Sequence, residues 1–280
     1  MRPIPKPRLS ASEVFDACLL IAPNGKTSRN CLTAKEAIEE AAEDYELKAT
    51  SADLYRIPRD QIPSGNATRD NLLTLYTRLR DNDKARYAYE EIKAGAAPDK
   101  CPYCGSGTVD TLDHYLPQSA YPAFAVTPIN LVPSCGRCNL KKNDTEVTLP
   151  EKQVFHPYFD IFEEGRWLFA SINRRLPVSA NFFVTVPESW SDVNSGRVET
   201  HFNDLDLVAA YISDAANEFR GCHYEFEEIH SSGDPNALRI HLKRRANSHL
   251  KNNPNSWQTA LYFACAESDW FCEGKFLRKG

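Results

Sequence analysis

The sequence predicts an α+β fold in three parts: a helical N-terminal region over residues 1–98, a small cysteine-framed core over 99–150, and an α+β region over 151–280. Three observations predict it. Apolar residues recur at three- and four-residue intervals through the first third of the chain, as amphipathic helices require. Two Cys-x-x-Cys pairs then enclose short apolar runs that read as a hairpin. Beyond Lys142, aromatic and β-branched runs are followed by a long amphipathic pattern. With 280 residues, 42% hydrophobic and 25% charged, the chain can bury a sizeable core and has an ordinary globular composition.

Residues 1–9 carry three prolines and three basic residues and are expected to run as an extended arm. Ser10 or Ser12 can cap a helix over Ala11–Ile21, which Pro23-Asn24-Gly25 stops. From Thr33 to Leu47 the chain is rich in helix formers, with Thr33 as N-cap and Glu36 at the capping-box spacing. The acids on that helix read as a solvated face. Leu72, Leu75, Tyr76 and Leu79 line one side of a further helix, and Tyr87, Tyr89 and Ile92 mark another before Gly95. Arg69, Arg78, Arg80, Lys84 and Arg86 alternate with acids here, which favours a mixed-charge surface over a phosphate patch.

In the last region, Phe155–Asp160 (FHPYFD) is an aromatic, turn-rich segment in which His156 is expected to pack rather than catalyse. Trp167–Ile172 and Asn181–Val186 read as strands, and Leu205–Phe219 as an amphipathic helix. Arg239–Lys251 holds five Lys or Arg and no acid. Lys243, Arg244 and Arg245 at its centre can contact phosphates or form a solvated helix face. The net charge of −5 argues against a general nucleic-acid-coating role and leaves open a local basic cleft. No apolar run reaches the roughly 18 residues of a membrane span. The N-terminus lacks the apolar stretch of a signal peptide. Nine cysteines, four of them paired, fit a reducing compartment, so a cytoplasmic protein is expected.

Cys101/Cys104 and Cys135/Cys138 match the ligand count of a tetrahedral Zn²⁺ site, each two-residue spacer letting both thiolates face one ion. Gly105 and Gly136 are expected to give the knuckles turning freedom. The alternatives are two disulfides, disfavoured by compartment, or a redox pair, for which one Cys-x-x-Cys would do. Four protein ligands close such a site, so the zinc would be structural.

Between and beside the pairs stand Asp113-His114, Asn130 and Asn139. Asp113-His114 falls on a strand, Asn130–Pro133 on the returning strand, and Asn139 at the opening of a helix. Phosphodiester hydrolysis needs a base, a cation against the developing charge and support for the leaving oxygen. A neutral His can be the base, and a carboxylate with an amide oxygen makes a hard site for Mg²⁺.

The order CxxC, DH, NLVPSCxxCN and KK over Cys101–Lys142 resembles the HNH endonuclease family, whose core is a ββα-metal (His-Me) finger. The resemblance implies His114 as general base and Asn130 as the residue that braces the hairpin and orients the base. Asn139 stands where the last His often sits, an HNN variant, and Asp113 and Asn139 would hold catalytic Mg²⁺ or Mn²⁺. Arg137, Lys141 and Lys142 can bind phosphate near the helix start or be solvated. The phrases LDHYLPQSAYPAFAVTPINLVP and FHPYFD are similar to standalone bacterial HNH proteins linked with anti-phage defence, some paired with an ATPase. The expected function is therefore a metal-dependent endonuclease acting on nucleic acid, DNA first. Its rivals are a zinc-stapled nucleic-acid-binding module and an assembly subunit that acts only with a partner ATPase or sensor.

Overall fold

The computed structural model describes residues 2–96, 100–142, 147–161, 165–234 and 236–277. It is an α+β protein whose contacts divide it into two compact units, Arg2–Ile161 and Phe162–Gly280 with Met1. The helical region and the cysteine-framed region expected as separate parts thus fall in one unit, because they share one core.

In the first unit the arm of residues 2–9 leads to α1 (Ala11–Leu19), whose capping box pairs Ser10 with Glu13. A short helix unforeseen from the sequence follows, α2 (Lys26–Leu32), and then α3 (Lys35–Thr50). The expected Thr33–Glu36 capping box does not form. Thr33 ends α2 instead: its hydroxyl donates to the Asn30 carbonyl at 2.7 Å and accepts from the Asn66 amide at 2.8 Å. α4 (Arg69–Asp81) is capped by Thr68 and Asn71, and α5 (Asp83–Ala94) by Asn82.

A short antiparallel hairpin comes next, β1 (Thr111–His114) and β2 (Leu131–Ser134), in the register Leu112↔Pro133, Asp113↔Val132 and His114↔Leu131. Pro133 is tolerated because each strand has only one neighbour. α6 (Gly136–Lys142) follows directly, so the segment runs strand, loop, strand, helix. Leu112 and Leu131 are buried in the same cluster as Val14 and Phe15 of α1, Leu72 and Leu75 of α4, and Ile92 of α5. The N-terminal helices are therefore the apolar wall on which the hairpin stands, and this burial is what positions the polar residues of β1.

The second unit pairs β3 (Leu168–Asn173) with β4 (Ser179–Val184) in an antiparallel hairpin, Leu168 opposite Val184. Both strands lie within two residues of their expected places. The helices are α7 (Asp192–Asp204), α8 (Leu207–Gly221), α9 (His223–His230), α10 (Ala237–Asn252), α11 (Trp257–Glu267) and α12 (Asp269–Cys272). α8 packs on β4, and α11 packs on both β3 and α10. Asn255 joins sheet to helix, its side-chain oxygen accepting from the Trp167 and Leu168 amides at 2.7 and 3.2 Å. Among the described residues no helix is long and apolar enough to cross a membrane.

Candidate metal cluster and adjoining cleft

The first Cys-x-x-Cys pair lies in a turn closed by two backbone hydrogen bonds, Gly105 N to Cys101 O at 2.7 Å and Cys101 N to Gly107 O at 2.8 Å. The second spans the end of β2 and the start of α6. The hairpin pairing brings the two turns together, and the four sulfur atoms of Cys101, Cys104, Cys135 and Cys138 all lie within 4.8 Å of one another, buried. Gly105 adopts φ +70°, which favours glycine. Gly136 starts α6 with ordinary space around it, so its expected turning role is absent. The constrained position is Gly107, where a Cβ would stand 2.7 Å from Cys135 Sγ.

Around the cluster, Gly107 N donates to Cys104 Sγ at 3.3 Å and the Arg137 guanidinium lies 3.9 Å from Cys138 Sγ. Hydrogen bonds from Cys101, Cys135 and Cys138 pull Cys104 far below the usual thiol range, whereas those with Cys101, Cys104 and Cys135 push Cys138 far above it. Cys135 is lowered to about 7, chiefly through Cys101. Four soft donors in a buried, closed set fit a metal such as zinc.

A cleft of about 370 Å³ adjoins the hairpin. Asp113 and His114 from β1 line it with Asn139, Leu140 and Lys142 from α6 and with Tyr76 and Arg80 from α4. Three of the four residues expected to carry the chemistry are therefore brought together. His114 is buried; its Nε2 lies 2.8 Å from the Ala125 carbonyl, and the Tyr76 ring meets its imidazole edge-on at 4.3 Å. A carbonyl only accepts, so Nε2 must carry the proton and Nδ1 keeps its lone pair. Burial pushes the imidazole down to about 4, against the opposing influence of the Ala125 carbonyl and Asp113, so it is neutral at pH 7.

Asp113 is held from two directions. Its Oδ2 accepts from the Tyr103 hydroxyl at 2.8 Å, and Lys142 Nζ stands 3.2 Å from Oδ2 and 3.4 Å from Oδ1. Burial, with Asp113 beside it, keeps the Tyr103 phenol protonated far above its usual range. Lys142 also donates to the His114 carbonyl at 2.7 Å. Asn139, partly buried in the middle of α6 rather than at its opening, also lines this cleft. The Asp113 carboxylate is thus shared between a phenol and an ammonium at the edge of the cleft.

Asn130 does not line the cleft. It is fully buried and ties down the loop between the strands: Nδ2 donates to Leu116 O and Phe124 O at 3.1 and 3.2 Å, and Oδ1 accepts from Leu116 N at 2.7 Å and Tyr45 OH at 3.1 Å. The next carbonyl along, that of Ala125, is the one that holds His114. Asn130 thus bears on His114 through the loop. His156 backs this brace, with Nδ1 accepting from Tyr158 N at 3.3 Å, Nε2 3.0 Å from Tyr45 OH, and its ring stacked on Tyr115. It packs, as expected.

The basic residues divide. Lys142 is buried against Asp113, and Arg137 lies against the thiol cluster. Lys141 is exposed on α6. Lys243 and Arg244 are exposed on α10 in the second unit. The expectation of a phosphate contact at Arg245 meets a different arrangement: it pairs with Glu225 at 2.9 Å and Glu218 at 3.5 Å and lies over the Tyr262 ring. Sequence reasoning missed Tyr103, Tyr76, Arg80 and Tyr45. Only Tyr103 carried a signal, a polar aromatic inside the first knuckle and just ahead of Asp113-His114; the others lie on helices whose apolar faces read simply as core.

No family model matches the chain, and no solved structure matches it. It is 27% identical to Protein ea31 of Escherichia phage lambda over 295 aligned residues, which take in 98% of this chain and 100% of that protein.

Proposed function

We propose that the Arg2–Ile161 unit is a metal-dependent endonuclease of the HNH type that hydrolyses phosphodiester bonds in nucleic acid, with DNA as the first substrate to test. The observation that carries this reading is His114: it lines a polar cleft with Asp113 and Asn139, and its Nε2 is committed to Ala125 O while Nδ1 keeps its lone pair. The strand–loop–strand–helix order Thr111–Lys142 supports it. The four cysteines are the structural zinc site of this reading, pinning β2 and α6 to the first knuckle.

In the proposed reaction His114 Nδ1 takes a proton from water as the water attacks the scissile phosphorus. The imidazolium so formed is stabilised by the Ala125 carbonyl and by Asp113. Tyr103 and Lys142 orient the Asp113 carboxylate, and Asn130 fixes the loop that holds His114. Asp113 and Asn139 would hold a divalent cation, Mg²⁺ or Mn²⁺, which would supply positive charge against the charge that develops as the phosphorus–oxygen bond to the leaving group breaks. The test is plasmid cleavage in Mg²⁺ with an EDTA control: wild-type protein cuts, and His114→Ala, folded and zinc-loaded, does not. Wild-type cleavage by His114→Ala removes the base assignment.

A partner-dependent form of the same activity is favoured by one observation: Arg137, Lys142 and Arg245 are engaged within the molecule, which lowers the positive charge left to grip phosphate. An ATPase or sensor subunit would then supply that grip, and cleavage assays with and without co-purified partners separate the two forms. The bacterial anti-phage setting rests on the sequence resemblance; plaque counts on cells expressing wild-type or His114→Ala protein test it.

A further inference from the structure

We propose that Lys142 is a resident counter-ion of Asp113 that makes cation binding and phosphate binding in the cleft depend on each other. The inference rests on the reading of Asp113 as a metal ligand. Lys142 and Asp113 side chains are 7% and 5% exposed, with Nζ 3.2 Å from Oδ2. The same ammonium donates to His114 O at 2.7 Å, and Tyr103 OH occupies the other flank of the carboxylate at 2.8 Å. A buried ammonium is stable only while it keeps such partners. Asn139 and Lys142 stand three residues apart on α6, one turn along the same face. The helix that brings an oxygen donor toward a cation therefore also brings a competing charge.

Two consequences follow from Coulomb's law. A divalent cation approaching Asp113 meets a unit positive charge already at contact distance, in a cleft where screening is weak, so Lys142 lowers its affinity. A phosphate entering the cleft gives the ammonium another anionic partner, and the flexible lysine stem lets Nζ move to it. With the ammonium on phosphate, Asp113 is released to the cation. By linkage the effect is reciprocal: bound cation, having displaced Lys142, makes the ammonium available to phosphate. The cleft then charges with metal mainly when nucleic acid is present.

The experiment measures Mn²⁺ binding by electron paramagnetic resonance on the zinc-loaded full chain, with and without a duplex oligonucleotide, in a His114→Ala background that leaves the duplex intact. Lys142→Gln and Lys142→Met are compared with unaltered Lys142 and with Asp113→Asn; zinc content and thermal midpoint establish that each variant is folded. The expected result is Mn²⁺ binding tightened on the order of tenfold by either Lys142 variant in the absence of duplex. The duplex should tighten Mn²⁺ binding when Lys142 is present and have little effect when it is not. Lys142 variants that bind Mn²⁺ no tighter, while Asp113→Asn loses it, overturn the counter-ion role and leave the metal site standing. Unchanged binding by Asp113→Asn overturns the metal reading and the inference together.

Discussion

Cys138, Asn139 and Lys142 stand within five residues of one another on α6, so the thiol cluster and the cleft are served by one helix and one hairpin. Their side chains are treated in different ways. At the cluster, four identical soft donors converge, are buried and turn mainly to one another. At the cleft, a carboxylate and an imidazole of unlike chemistry are tied to different elements, Asp113 to Tyr103 and Lys142 and His114 to Ala125, and Asn130 secures the loop that carries Ala125. The cluster satisfies its groups by closing around a centre. The cleft satisfies them from behind and leaves faces open to a volume of about 370 Å³. Damage to the first should therefore appear as lost structure, and damage to the second as lost chemistry in a folded protein.

The largest effect expected is on the cluster. Cys138→Ser, or a strong zinc chelator at pH 7, removes the connection between the first knuckle and α6. Zinc binding and folding are one free energy in small metal modules, of order 10 kcal/mol where nothing else holds the fold. Here the α1–α5 core remains, so the loss should be confined to the hairpin and α6. Hydrogen exchange across residues 101–142 should rise sharply while protection in α1, α4 and α5 persists. A uniform loss across both regions contradicts a local staple.

Next is His114→Ala, where removing a general base should cost about 10²- to 10⁴-fold in cleavage with the zinc content unchanged. Native His114 stays neutral down to about pH 4, whereas an unfolded histidine protonates near 6.5. The acid limb of the rate profile should thus lie well below pH 6. Within the same window the unfolded chain binds the extra proton, so this residue's contribution to stability falls as pH drops from 6.5 toward 4. Rate measurements between pH 4 and 8, beside thermal midpoints, check both signs.

Asn130→Ala falls between the two classes. It strands Leu116 N, Leu116 O and Phe124 O in a fully buried place, which should cost about 2–4 kcal/mol. Because Phe124 adjoins the carbonyl that holds His114, cleavage by the folded fraction should fall too. Chemical denaturation and single-turnover rates on the same preparation distinguish the two losses.

How much of this was readable beforehand follows from the range of each interaction. The cysteine spacing and the Asp113-His114 pair are local patterns, and the structure brings all four thiols together and sets Asp113, His114 and Asn139 on one cleft. The helices with one apolar stripe, α4 and α8, were legible for the same reason. α11 was not, because Trp257, Leu261, Tyr262, Ala264 and Cys265 bury it nearly all round and leave no period to detect. α7 was not, because Arg197, Thr200 and His201 are buried beside Val198 and Phe202 and blur the stripe. The partners of these residues come from far away in sequence, Tyr45 on α3 against Asn130 and Tyr76 on α4 against His114, where nothing local distinguishes such a contact from core. Lys142 could be read only as a phosphate contact or a solvated side chain, because a lysine's sequence neighbours do not reveal a buried carboxylate reached through the fold.

Tyr103 tests whether the two regions are separable at all. It lies between Cys101 and Cys104, yet its hydroxyl reaches Asp113 in the cleft at 2.8 Å, and the side chain is wholly buried. Tyr103→Phe keeps the ring that packs the knuckle and deletes the hydroxyl that reaches Asp113. A hydrogen bond to a charged acceptor contributes about 1.5 kcal/mol, so the thermal midpoint should fall by a few degrees and zinc content should hold. Asp113 would retain Lys142 but lose the donor that fixes its orientation, so cleavage should slow several-fold and the Mn²⁺ concentration for half-activity should shift. If cleavage is unchanged, the cluster is only a staple. If zinc is lost along with activity, Tyr103 serves the knuckle first, and the cleft's dependence on the cluster runs through the backbone rather than through this one hydroxyl.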